Sequence, residues 1–142
     1  MYRKILVALE NGAVDADLLP HVMELARKFK SELLLLHVAD GWAARCFDQL
    51  SLTESEEMKS DRAYLETAAV KLRQSGLVTS IRLALGSPPA EIRKVAESEN
   101  CDLIAMGSHG HRWFGDILHG STITEVRHKT LIPVLLVRER KK

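Results

Sequence analysis

A glycine-rich stretch, GSHGHRWFGDILHGST at positions 107–122, holds the residue types best suited to binding an anion. Four of the eight glycines of the chain lie in it, together with three histidines and one arginine. Glycine permits positive φ angles and lets a ligand approach the backbone closely, and we expect both properties at Gly107 and Gly110. Because any protonated histidine adds positive charge, phosphate is the anion that this composition favours.

The end of this stretch is open to two interpretations. Gly120, Ser121 and Thr122 lie where a helix is predicted to start, and the free N–H groups and dipole of a helix N-terminus favour an anion. However, Thr122 and Glu125 also match a helix capping box, which needs no ligand. The stretch is neither a Walker A loop nor a G-x-G-x-x-G turn. The residue types alone therefore leave a phosphate site and a plain loop-to-helix connection both open.

The elements that must position this stretch alternate between short apolar strands and amphipathic helices. Apolar runs of strand length lie at 4–9, 32–38, 78–85, 102–106 and 133–137. Apolar residues at helical spacing mark helices at 15–30, 52–76, 86–100 and 120–129. This alternation predicts an α/β fold with an open parallel sheet and helices on both faces. Ligands bind such sheets beyond the carboxyl ends of the strands, where strand order reverses, so the loops after the first, second and fourth strands are the candidate site.

The composition is that of an ordinary globular protein, and it excludes several functional classes. The length of 142 residues predicts a single domain over 1–142. The net charge of +1 provides no bulk attraction for nucleic acid or an anionic membrane. The longest apolar run, LLLLHVA, is too short to span a bilayer. Cys46 and Cys101 stand in unrelated contexts, which favours two reduced thiols in the cytoplasm.

The histidines do not form a recognisable metal site. His109, His111 and His119 have none of the familiar zinc spacings, so we expect structural or solvent-exposed roles and no bound metal at these residues. His37 lies in a buried apolar run, where a hydrogen-bonded core histidine is the expected outcome. No nucleophile and base are paired in the sequence, and Ser121 lacks the G-x-S-x-G elbow of a hydrolase. We therefore predict no dedicated enzyme, although slow hydrolysis of a bound triphosphate is compatible with the residues.

The spacing of the glycines resembles that of a known family. Gly107-x2-Gly110-x9-Gly120-Ser121 matches the G-2x-G-9x-G-(S/T) signature of the universal stress protein family. The likeness extends over nearly the whole chain, because KILVALENG, SELLLLHV, GSPPAEI, CDLIAMGSHG and RHKTLIPVLLVR resemble successive segments of that family in order. The resemblance implies a Rossmann-like sheet of five parallel strands in the order 3-2-1-4-5. It also implies binding of ATP, or of AMP or ADP, with Mg²⁺, since members with the full signature resemble ATP binders.

The resemblance also implies which residues hold the nucleotide. Those that border the adenosine or flank the phosphate loop are Ala8, Leu9, Glu10, Val38 and Met106. Those that hold the phosphates and ribose are Gly107, Gly110, Gly120, Ser121 and Thr122. One position departs from the family pattern, since Glu10 replaces the usual aspartate. We expect the Glu10 carboxylate to face the nucleotide, acting on a ribose hydroxyl or through Mg²⁺.

The last predicted strand, PVLLV at 133–137, is expected to mediate a homodimer. It is short, apolar and near the chain end, so it should be an uncovered edge, and two such edges cover one another when they pair about a two-fold axis. Three functions then compete. The first is a cytoplasmic ATP-binding regulator of a stress response, the second a slow ATPase using the same site, and the third a dimeric interaction module with a vestigial pocket.

Overall fold

The computed structural model of the chain describes residues 1–39, 56–109 and 117–140. The five described strands are β1 (Lys4–Ala8), β2 (Glu32–Ala39), β3 (Thr79–Leu85), β4 (Leu103–Ser108) and β5 (Val134–Arg138). The four described helices are α1 (Asp15–Phe29), α2 (Glu56–Gln74), α3 (Pro88–Ser98) and α4 (Ile117–Lys129). Every predicted strand and helix is therefore present. The predicted start of α2 at residue 52 lies outside the described residues.

The strands form one sheet in the order β3-β2-β1-β4-β5, and every neighbouring pair is parallel. This confirms the predicted fold class and strand order. Strand order reverses at β1, which lies between β2 and β4 with Ala8 in register with both Leu36 and Met106. The carboxyl ends of these three strands consequently meet at one edge of the sheet, where the candidate site is expected.

Both faces of the sheet are covered by helices, which explains why β1 and β2 are continuous apolar runs. On one face, Ile5 and Val7 of β1 belong to a buried cluster with residues of α1 and α2. On the other face, Leu6 belongs to a second cluster with residues of α3 and α4. Successive side chains of a strand point to opposite faces. A central strand that is buried on both faces therefore carries apolar residues on both sides and reads as a continuous apolar run.

The end of α2 and the edge position of β5 both agree with what the sequence led us to expect. Gly76 has a φ of +86°, as expected of a glycine that ends a helix, and it follows α2 directly. β5 pairs only with β4 and is an edge of the sheet, as predicted. Leu136 on this edge remains 41% exposed, and Leu131 in the preceding turn is fully exposed.

None of the helices in the described ranges is long and apolar enough to cross a membrane.

Candidate functional site

A cavity of about 240 Å³ lies at the carboxyl ends of β1, β2 and β4, where the strand order reverses. The start of α3 and the middle of α4 complete its wall. The lining residues are Ala8, Leu9, Glu10, Leu36, His37, Val38, Pro88, Ile92, Met106, Gly107, Thr122 and Ile123. Most of this surface is apolar, while Glu10, His37 and Thr122 add polar groups. The cavity therefore suits a ligand with a flat apolar part and a few polar atoms.

Most of the candidate site residues lie around this one cavity. Those that line it are Ala8, Leu9, Glu10, Val38, Met106, Gly107 and Thr122. Gly110 lies outside the described residues. Gly120 and Ser121 lie within α4, where the structure describes only their backbone. The structure thus places together the residues that follow β1, β2 and β4, as the topology requires.

Gly107 is needed for a reason that differs from the expected one. Its φ is not positive, because β4 continues through Ser108 and keeps Gly107 in an extended strand. A Cβ at this position would lie 2.5 Å and 2.8 Å from the two Cγ atoms of Val14, which is itself fully buried. The expectation of a positive φ at Gly107 is therefore wrong. Its lack of a side chain lets the start of α1 lie against the end of β4.

The last helix starts three residues earlier than predicted, at Ile117 instead of residue 120. Thr122 consequently lies inside α4 and is not at its N-cap, so the capping-box interpretation of Thr122 and Glu125 is wrong. Gly120 is the fourth residue of α4 and lies in its first turn. Thr122 lies beyond the first turn and faces the cavity.

A buried carboxylate shapes the loop that follows β1. Asp15, at the start of α1, is 1% exposed and accepts hydrogen bonds from the backbone N–H groups of Glu10 (3.2 Å) and Asn11 (2.9 Å). It also accepts one from the Tyr64 hydroxyl of α2 (2.6 Å). Burial, and then the hydrogen bond to Asp15, raise the pKa of Tyr64 above its usual range. Asn11 adopts a left-handed φ of 60° in this loop, so Asp15 holds a turn that an ordinary residue disfavours.

His37 supports the same loop from β2. Its Nδ1 lies 2.8 Å from the carbonyl oxygen of Leu9, and because a carbonyl only accepts, this nitrogen carries a hydrogen and donates. Its Nε2 lies 3.3 Å from Asp61 of α2, which also accepts a hydrogen bond from the Asn11 side-chain amide (3.0 Å). The prediction that His37 is hydrogen-bonded is confirmed, but the residue is half-buried at the cavity wall and does not lie in the core. Asp15, Asp61 and Tyr64 were not anticipated, because they lie on helical segments that carry no motif.

His109, just after β4, lies between two carboxylates. Its Nε2 is 2.7 Å from Glu10 Oε2, and its Nδ1 is 3.0 Å from Glu139 Oε2. Desolvation of the ring, which is 12% exposed, lowers the pKa of His109. The hydrogen bonds to Glu139 and Glu10, together with their charges, outweigh that effect and raise the pKa above its usual range. A structural or solvent-exposed role was expected for His109, and its contacts with the two carboxylates are structural. His111 and the His119 side chain lie outside what the structure describes.

The thiol and metal chemistry of the described residues is limited. Cys101 is a buried free thiol, and burial raises its pKa to about 11, which makes the reactive thiolate scarce near neutral pH. Cys46 lies outside the described ranges. Within those ranges, no group of three or more histidine, cysteine, aspartate or glutamate residues is placed to hold a metal ion.

The fold and the cavity define a doubly wound α/β protein with its candidate site at the reversal of strand order. The model of the universal stress protein family matches residues 1–138, and the chain belongs to that family. It is 30% identical to the universal stress protein MJ0577 of Methanocaldococcus jannaschii, over 99% of this chain and 97% of that protein. It is 27% identical to the universal stress protein YxiE of Bacillus subtilis, over 97% of this chain and all of that protein.

Solved structures of related proteins share the whole fold. The structure of MJ0577 superposes with a TM-score of 0.80 at 30% identity, covering 100% of this chain and 99% of that one. A universal stress protein in complex with cAMP has a TM-score of 0.71 at 17% identity, covering 98% of both chains. A universal stress protein of Archaeoglobus fulgidus in complex with dAMP has a TM-score of 0.71 at 22% identity, covering 96% of this chain and 98% of that one.

Proposed function

We propose that this chain is an ATP-binding universal stress protein that acts as a small regulatory protein. The observation that carries the proposal is the cavity at the reversal of strand order, which has apolar walls and is lined by Gly107 and Thr122, the first and last residues of the glycine-rich stretch. Relatives of the same fold have been solved with cAMP and with dAMP, so adenine nucleotides are the ligand class that this proposal favours. Binding of ATP would then change the affinity of the protein for its partners.

The residues of the cavity divide between the parts of a nucleotide. Val38, Ile92 and Met106 provide apolar surface for the adenine ring, which is flat and has few atoms that need hydrogen bonds. Glu10 faces the ribose in this proposal. The phosphates lie against Gly107, Gly110, Gly120, Ser121 and Thr122. Mg²⁺ enters with the triphosphate, because it binds mainly through phosphate oxygens and its own water molecules.

The direct test is whether an adenine nucleotide co-purifies with the protein. Heat-denatured protein would release the nucleotide for identification by chromatography, and calorimetry would measure the binding of added ATP, ADP and AMP. We expect ATP to bind more tightly than AMP, because the additional phosphates contact more backbone donors. Protein that contains no nucleotide and binds none when it is added would instead favour the interaction module with a vestigial pocket.

A slow ATPase on the same site is the second candidate. The release of phosphate from bound ATP over a long incubation tests it, and a γ-phosphate that remains intact excludes it. A homodimer through β5 and a location in the cytoplasm complete the proposal. The exposed leucines 131 and 136 beside the β5 edge support the dimer, and the cysteine content supports the location.

A further inference from the structure

Glu10 presents an electrostatic problem in the proposed nucleotide site. It lines the same cavity as Gly107 and Thr122, which are proposed to face the phosphates. A bare carboxylate there would repel a triphosphate, since like charges that are only partly exposed to water are weakly screened. A positive charge beside Glu10 would offset this repulsion.

The structure places His109 at that position. The His109 ring is mostly shielded from water, and both of its nitrogens meet a carboxylate oxygen, at 2.7 Å for Glu10 and 3.0 Å for Glu139. Ionised carboxylates only accept hydrogen bonds, so the arrangement is satisfied when both ring nitrogens carry a hydrogen and the ring is positively charged. These two glutamates, which follow β1 and β5, act on the ring through hydrogen bonds and through their charges.

Glu139 is well placed to contact His109 because backbone hydrogen bonds fix the segment in which it lies. Its N–H donates to the carbonyl oxygen of Ser108 (2.8 Å), which continues the pairing of β4 and β5 by one residue. The next N–H, of Arg140, donates to Asp17 of α1 (2.9 Å). The segment after β5 is thus tied to β4 and α1, and it brings a carboxylate to the far side of the His109 ring.

We propose that His109 is a positioning residue that neutralises Glu10 at the nucleotide pocket, and that Glu139 keeps it oriented and charged for this purpose. The inference rests on the proposed function. The residue after β5 becomes part of the site through His109, although it does not line the cavity. The charge of His109 should therefore increase the affinity for a ligand that carries phosphates and leave the affinity for the nucleoside alone unchanged.

The first experiment tests the bridge without any nucleotide. Histidine resonances would be followed by NMR against pH in the parent protein, with His109 assigned by the H109Q variant. Glu139→Gln should lower the pKa of His109, because it removes one of the two carboxylates that stabilise the charged ring. The matched control is Glu24→Gln, which removes the same charge from an exposed pair with Arg27 on α1. An unchanged pKa of His109 in E139Q would overturn the bridge.

The second experiment compares ATP with adenosine from about pH 6 to about pH 9, a range around the ordinary histidine pKa. A raised pKa means that the ring is charged below it and neutral above it, so the parent should lose ATP affinity as pH rises through that value. E139Q should show the same loss at lower pH. H109Q should bind ATP at least about fivefold more weakly at low pH, without that step, and adenosine affinity should change little. Equal losses for ATP and adenosine, or a step that persists in H109Q, would overturn the proposal.

Rescue provides the sharpest comparison. The E10Q/H109Q double variant lacks the carboxylate of Glu10 that lines the cavity, although it keeps Glu139, so it should bind ATP more tightly than H109Q alone. Binding that is equal to or weaker than that of H109Q contradicts the role assigned to His109. If the parent binds neither ATP nor adenosine, the proposed function fails and the role of His109 toward phosphates fails with it. The NMR titration still reports separately whether the bridge exists.

Discussion

At the scale of single residues, we assign different roles to the glycines at the candidate site. Gly107 lies in a strand with an ordinary φ, and its hydrogen atom is what allows Val14 to approach. Gly110 lies outside the described residues, and its expected role at the phosphates stays a prediction. Mutations at these two glycines should therefore separate packing from ligand binding.

Gly107→Ala should destabilise the fold by about 1–3 kcal/mol, because the new methyl group overlaps Val14 and close-packed interiors accommodate extra atoms poorly. Urea unfolding measures this cost. The control is the same substitution in a Val14→Ala background, where the overlapping atoms are gone. The cost should be smaller there, and an equal cost in both backgrounds would show that Val14 is not the obstacle.

Gly110→Val should lower ATP affinity at least about tenfold, which corresponds to roughly 1.4 kcal/mol. A branched side chain would occupy the space of the phosphates and disfavour a positive φ. The fold should survive, as circular dichroism would show. Gly12→Ala is a suitable control, since a Cβ at Gly12 would meet nothing within 4 Å. ATP binding by folded G110V at the affinity of the parent would remove this glycine from the site.

At the scale of elements, the loop after β1 depends on helices that are distant in sequence. Asp15 at the start of α1 accepts three hydrogen bonds, two from the backbone of this loop and one from Tyr64 of α2. His37 and Asp61 hold the same loop from β2 and α2. The position of Glu10 at the cavity is consequently a result of contacts among three elements.

Asp15→Asn should cost about 1–3 kcal/mol of stability, since an amide group would turn a donor toward groups that themselves donate, leaving a buried donor unsatisfied. Asp17→Asn is the comparison variant, because it removes the same charge from the same first turn of α1 at a half-buried position, where Asp17 accepts a hydrogen bond from the Arg140 N–H instead of from the loop after β1. Both variants lose the favourable interaction with the helix dipole. Chemical denaturation should show a larger loss of unfolding free energy for D15N than for D17N. Equal losses would mean that Asp15 contributes only through its charge at the helix N-terminus.

At the scale of the whole molecule, the exposed edge of β5 is where we expect self-association. The strand presents Leu136 to solvent, whereas Leu135 packs against the core cluster on the α1 side. A substitution at Leu135 would therefore disturb the fold as well as the interface. Leu136 is the better position for a test of the dimer.

Leu136→Lys should shift the protein from dimer toward monomer at micromolar concentration, because a buried unpaired charge at an interface is costly. Sedimentation would measure the change. Val70→Lys on α2 is the control, since Val70 is exposed to a similar extent (44%) and lies away from β5. A parent protein that is monomeric at these concentrations, or a dimer unaffected by L136K, would contradict the β5 interface.

The sequence by itself determined the elements, the strand order implied by the family signature, and the edge of the sheet at which the candidate residues meet. The elements follow from local periodicity, and the edge follows from the geometry of parallel sheets, whereas the strand order was implied by the resemblance to the family. The resemblance also implied Ala8 and Val38 as site residues, and both line the cavity, while their contact with a nucleotide stays a prediction.

Only the tertiary structure decided which side chains meet. Glu10, His109 and Glu139 are separated by about a hundred and by thirty positions, and nothing in their local sequence pairs them. The same holds for the contact of Val14 with Gly107, which replaced an expected backbone conformation with a packing requirement. Such contacts depend on ångström-scale distances between elements, and these distances are set by how the helices pack on the sheet and not by the periodicity of any one segment.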